Sequence, residues 1–181
     1  GWTSQTEDTR SIEIWRNSLH QPHVLRIKVI GLTSWDNNSD GSSDTFNFLS
    51  RTWQGSDTNN DGFLDRRVFH RHYMMQRDDN ADGNVAFSVN SNIWHARNLS
   101  LSASGTIEVL QEAYLSHNVI LWNINSQGHA YHTNITWVGF QIDYVAGTTQ
   151  GITVTAIIID SNQDGTPEST NYTTAQNSTP P

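Results

Sequence analysis

The chain has 181 residues, enough for one domain with its own core; 35 % are hydrophobic and seven are Trp. Its formal charge is −8 with a single lysine, Lys28, which argues against nucleic acid, whose binders need a basic surface. Cysteine is absent, which excludes disulfides, thiolate metal sites and cysteine nucleophiles, and no run of about 18 apolar residues offers a transmembrane helix.

In chain order, residues 1–10 are polar and read as a flexible N-terminal arm. The chain starts at Gly1 rather than Met and shows no secretory signal, which reads as a processed product. "SIEIW" and "HVLRIKVIGL" then alternate with period two, the signature of strands. "TFNFLSRTW", "RVFHRHYMM" and "VAFSVNSNIW" follow as further β-type runs, each after an Asp-rich loop. The stretch "NLSLSASGTIEVLQEAYLSH" is ambiguous. Ile107, Leu110 and Tyr114 fit helical spacing, yet strand is the preferred reading. "NVILWNI", "TNITWVGFQIDYV" and "GITVTAIIID" are strong strands, rich in β-branched and aromatic residues. Residues 169–181 are Ser/Thr/Asn-rich, end in two prolines and read as a disordered tail or linker. Eight or nine strands with no convincing long helix predict an all-β domain over residues 11–168: a β-sandwich or jelly roll with calcium-binding loops between strands.

The loops carry the chemistry. D-x-N-x-D-G occurs four times, starting at Asp36, Asp57, Asp78 and Asp160, and the first three copies are 21 residues apart. Calcium takes six to eight oxygen ligands from carboxylates, amide oxygens, backbone carbonyls and water. Positions 1, 3 and 5 of each loop offer side chains, position 7 a carbonyl and position 9 an acid, while glycine at position 6 permits the sharp turn. One ion is expected among Asp36, Asn38, Asp40, the Ser42 carbonyl and Asp44. A second is expected among Asp57, Asn59, Asp61, the Phe63 carbonyl and Asp65, and a third among Asp160, Asn162, Asp164, the Thr166 carbonyl and Glu168. The loop of Asp78, Asn80, Asp82 and Asn84 has Ala86 at its ninth position, so it is expected to bind more weakly or to borrow a ligand such as Asp79 or one from a neighbouring chain. Four divalent ions would offset the charge of −8, and without them clustered carboxylates repel.

An EF-hand would need Glu at position 12 and flanking helices. Position 12 is Asn47, Val68, Val89 or Asn171, between strand-like flanks. The pattern instead resembles the D-x-[DN]-x-D-G-x-x-D loops of extracellular calcium proteins: type 3 thrombospondin repeats, the calcium hairpins of integrin-type propellers and dockerin-like modules. The resemblance covers the four loops only. It implies calcium, up to four ions, and an exported protein at the cell surface or outside the cell. Sequons at Asn37, Asn98, Asn134, Asn171 and Asn177 permit glycosylation there.

Other constellations are weaker. His70 and His72 share one face of a strand, His129 and His132 sit near a glycine, and His20 and His23 flank Pro22. They read as surface or structural histidines rather than a zinc or copper site. Trp2, Trp35 and Trp53 lie near loops or ends and are candidates for a sugar-binding platform, whereas Trp122 and Trp137 lie in strong strands and read as core. No G-x-S-x-G elbow exists, and Glu108, Glu112 and Asp143 are acids left outside the loops, so no enzyme is expected. The preferred reading is a self-assembling subunit of a fibre, surface coat or matrix, a homo-oligomer or polymer. A carbohydrate-binding module with structural calcium, its partner a glycan, is the alternative, and a secreted metal-dependent enzyme comes third.

Overall fold

The computed structural model describes residues 3–80 and 82–179. Nine strands follow one another: β1 Thr3–Arg16, β2 Pro22–Asp36, β3 Thr45–Ser56, β4 Arg66–Arg77, β5 Phe87–Leu101, β6 Ile107–Ile124, β7 Ala130–Asp143, β8 Thr148–Ile159 and β9 Ser169–Thr179. Each pairs antiparallel with the next, in the order β1 to β9, and no helix occurs among the described residues. The all-β expectation holds. All nine strands belong to one sheet, whereas a sandwich or jelly roll needs two packed layers.

Three local expectations meet a different outcome. Residues 3–10, read as a flexible arm, form the first half of β1, with Thr3 paired to Asp36 and Arg10 to Val29. Residues 169–179, read as a tail, form β9, with Ser169 paired to Ile159. Both are edge strands that bury little, so backbone pairing holds them and their sequences carry no hydrophobic alternation. Residues 1–2 and 180–181, parts of those two expectations, lie outside the described residues, and so does Trp2. The ambiguous stretch, residues 98–117, holds the end of β5 and the first part of the 18-residue strand β6. Its register against β5 shifts between Asn98 and Leu99, so Gln111 pairs with Asn98 but Val109 with Leu99. The unpaired Leu110 is a bulge, and a bulge resets the two-residue alternation, which mimics helical spacing.

A single sheet encloses little. Leu99 and Ala156 are the only apolar side chains buried among the described residues. The accessible surface is 11228 Å², against about 8,800 Å² for a compact chain of this mass. Register and alternation assign the faces. One face carries the row Ile12, Ile27, Trp53, Phe69, His95, Tyr114 and Phe140. The other carries the row Lys28, Thr52, His70, Trp94, Leu115, Gly139, Ile152 and Gln176. Cross-strand ring contacts tie neighbours together, as where Tyr114 stacks on Phe140 at 5.1 Å.

Candidate metal-binding loops

The four D-x-N-x-D-G loops are the connections β2–β3, β3–β4, β4–β5 and β8–β9. Successive turns of a meander alternate between ends of the sheet. The loops at Asp36, Asp78 and Asp160 therefore share one end, and the loop at Asp57 lies at the other.

All four follow one hydrogen-bond plan. The position-1 carboxylate accepts from the position-6 glycine: Gly41 N–H to Asp36 at 3.0 Å, Gly62 to Asp57 at 2.9 Å, Gly83 to Asp78 at 2.7 Å and Gly165 to Asp160 at 2.9 Å. The position-5 carboxylate accepts from the N–H of residue 7: Ser42 to Asp40 at 2.7 Å, Phe63 to Asp61 at 2.8 Å, Asn84 to Asp82 at 2.8 Å and Thr166 to Asp164 at 2.7 Å. The Nδ2 groups of Asn38, Asn59, Asn80 and Asn162 donate to the same position-5 carboxylates at 2.9–3.1 Å. The glycines have φ of 86–90°, and Ser39, Asn60 and Gln163 at position 4 have φ of 54–65°. This left-handed backbone turns successive N–H groups inward, and only glycine adopts it freely.

The ninth acid closes the ring. Asp44 accepts from Asn37 N–H at 2.6 Å, Asp65 from Thr58 at 3.0 Å and Glu168 from Ser161 at 2.6 Å. Ala86 has no carboxylate to do this, and Asp78 is half-buried where Asp36, Asp57 and Asp160 are buried. Asp79, the candidate substitute ligand, instead forms an ion pair with Arg77.

Asp57 is 0 % exposed, Asp160 5 %, Asp44 6 % and Asp36 8 %. Among the described residues, no arginine, lysine or histidine forms an ion pair with a carboxylate at position 1, 5 or 9. Buried carboxylates satisfied by N–H groups alone lack a compensating positive charge. The donors are all hard oxygens, the chemistry that suits calcium or magnesium rather than zinc or copper. Among the described residues, no three acid or histidine side chains converge as a metal site would require. In the geometry seen here, both oxygens of Asp57 and of Asp160 accept loop N–H groups. Loop N–H groups also hold several carboxyls below their ordinary values: that of Ser42 for Asp40, of Asn84 for Asp82 and of Ser161 for Glu168.

A neighbouring turn braces the Asp160 loop. The β6–β7 turn sets Asn125 Nδ2 and His129 Nδ1 each 3.0 Å from the Gln163 carbonyl. A Cβ on Gly165 would meet the His129 ring at 3.1 Å. His129 thus acts as a strut for the Asp160 loop. His132 lies against Trp122 at 4.9 Å and His72 against Phe48 at 5.4 Å. No local pattern announces the strut, because the two turns are over thirty residues apart.

Of the leftover acids, Glu112 is held by His95 at 2.5 Å, Arg97 at 3.1 Å and the Tyr144 hydroxyl at 3.2 Å. Burial raises its pKa, but hydrogen bonds from His95 and Arg97 outweigh that and leave it lowered. Asp143 accepts from Gln111 at 2.9 Å and from the N–H groups of Val145 and Ala146, which makes it a turn cap. Trp35 and Trp53 are half-buried on the face of Ile12 and Ile27. Trp122 is half-buried, and Trp137, read as core, is 47 % exposed.

No protein-family model, no curated protein and no solved structure matches this chain. No helix of the described residues is long and apolar enough to cross a membrane.

Proposed function

We propose that this chain is a calcium-stabilised structural protein of the cell exterior that assembles with copies of itself into a fibre, coat or matrix. The observation that supports it best is the common plan of the four loops, with buried carboxylates and no positive partner. Asp36, Asn38, Asp40 and Asp44 would hold one ion, and the equivalent residues of the Asp57 and Asp160 loops two more. The loop of Asp78, Asn80, Asp82 and Asn84 is the weak site. Bound calcium would supply the missing positive charge and stiffen the connections.

Self-assembly draws support from the sheet edges. β1 and β9 pair on one side only, and a strand paired on one side presents a free row of N–H and C=O groups on the other. Pairing of one copy's β1 with another's β9 would extend the sheet. Two such ribbons stacked face to face would make the β-sandwich or jelly-roll layering that the strand pattern suggests.

Negative-stain microscopy at increasing protein concentration, with calcium and with EDTA, tests both parts. Ordered polymers with calcium and their loss in EDTA are expected. A strictly monomeric protein at high concentration with calcium removes the assembly reading, and no calcium by elemental analysis removes the metal.

A further inference from the structure

We infer that the sheet face opposite Ile12 and Ile27 carries a groove for a neutral polysaccharide chain, centred on Trp94. The inference stands apart from the calcium and assembly reading, since the residues that carry it, Trp94, Trp137 and Gly139, lie on strands; the Asp57 loop only borders the groove, through Thr58 and Asp65.

Four open depressions lie along this face, and they run into one another. One, of about 580 Å³, is lined by His70, Asn92, Trp94, Leu115 and His117. It shares His70 and Trp94 with a second of about 360 Å³ that extends to Lys28 on β2. Trp94 also lines a third, of about 550 Å³, which reaches Gln111 and Gln141. Gln141 leads into a fourth, of about 430 Å³, bounded by Gln150, Ile152 and Gln176 on β8 and β9. From β2 to β9 is seven strand spacings, roughly 33 Å. A groove of that length across the strands suits an extended polymer.

The chemistry selects the class of polymer. Glycine on β7 opens the floor, for Gly139 stands between Leu115 and Ile152, each with a methyl 3.7 Å from where a Cβ would be. Amides line the walls, and the depressions around His117 and Gln176 contain no Asp, Glu, Lys or Arg. Amides donate and accept, which matches hydroxyl-rich ligands rather than anions. Trp94 on β5 and, two strands away on the same face, Trp137 on β7, whose ring lies 5.1 Å from His117, supply apolar plates against which the C–H face of a sugar ring packs. The charged side chains that border the groove are of mixed sign: Arg26, paired with Glu13, and Lys28 in one depression, and Asp65, Arg66 and Glu112 in another. On the other face arginine opposes arginine, Arg51 with Arg71 and Arg67 with Arg97, so an anionic chain belongs there.

Affinity gel electrophoresis of the full chain in calcium, with a soluble β-glucan, a mannan, a xylan and dextran sulfate in the gel, tests the assignment. Retardation by at least one neutral polymer is expected, falling at least tenfold in apparent affinity in Trp94→Ala and in Gly139→Leu, which fills the floor. Trp137→Ala, an exposed site, gives the same loss without risk to folding. Circular dichroism checks that each variant keeps its strands. No retardation by any neutral polymer overturns the inference. So does retardation unchanged by all three substitutions, or retardation by dextran sulfate alone that Arg51→Gln/Arg71→Gln abolishes.

Discussion

Asp57 is fully buried with both carboxylate oxygens on loop N–H groups, so its removal takes the acceptor from the Gly62 N–H and leaves that of Asp61 with Asn59 Oδ1 alone. Asp57→Ala should cost about 1–3 kcal/mol of stability in EDTA, read by urea unfolding. The position-5 acids rank the metal sites instead. Asp61→Ala should lose more calcium affinity than Asp82→Ala, because the Asp57 loop has its ninth acid and the Asp78 loop does not. Titration calorimetry showing the reverse order would mean the Asp78 loop recruits ligands from elsewhere. Acid should loosen the loops as well. Asp40, Asp82 and Glu168 titrate below their ordinary values of 3.8 and 4.5, so the folded state binds fewer protons than the unfolded chain over that range. Their stabilisation is complete above the unfolded values and is lost as pH falls through the lower folded ones. Melting in EDTA should therefore weaken below about pH 4.5, and Glu168→Gln should flatten part of that slope. These residues were legible in the sequence because spacing alone brings nine consecutive positions around one centre. The His129 strut was not, since the register of β6 to β9 places it.

Edge strands behave differently from the strands between them. Ile12 and Ile14 on β1 are exposed, and β1 carries no lysine that would block edge pairing. Ile12→Lys with Ile14→Lys should abolish calcium-dependent polymers while leaving the melting temperature within a few degrees, as expected for exposed positions. Polymers that persist in the double variant point to contacts through the faces or loop ends. The edges are also where sequence reading was weakest. Residues 3–10 of β1 and the whole of β9 are rich in Thr, Ser and other polar residues in place of an apolar alternation, because an edge strand pairs on one side only and buries little. The inner strands β7 and β8, each paired on both sides, were plain in the sequence through their β-branched and aromatic runs.

The molecule as a whole has a ladder rather than a core. With two buried apolar side chains among the described residues, it should unfold with a heat-capacity change below the usual ~12–15 cal/mol/K per residue. Differential scanning calorimetry of the calcium-free protein measures this, and a value in the ordinary range would mean that another layer covers the sheet in solution. Calcium should then account for much of the stability. Each site contributes about 2.7 kcal/mol at a hundredfold excess over its dissociation constant. EDTA should lower the melting temperature by many degrees, and an unchanged curve would count against metal in the loops.

The strand class, the positions of most turns and the Asp and Asn positions that organise each loop followed from the sequence, because each depends on neighbours a few positions apart. Alternation over five to ten residues reveals a strand, and D-x-N-x-D-G encodes its own turn. Three things were settled only by tertiary structure: one sheet instead of two layers, the recruitment of both termini as edge strands, and the placing of Trp94 and Trp137 on one open face. All three depend on which strand pairs with which and in what register. Side chains on one face come from strands tens of residues apart, and alternation does not tell whether another layer covers that face.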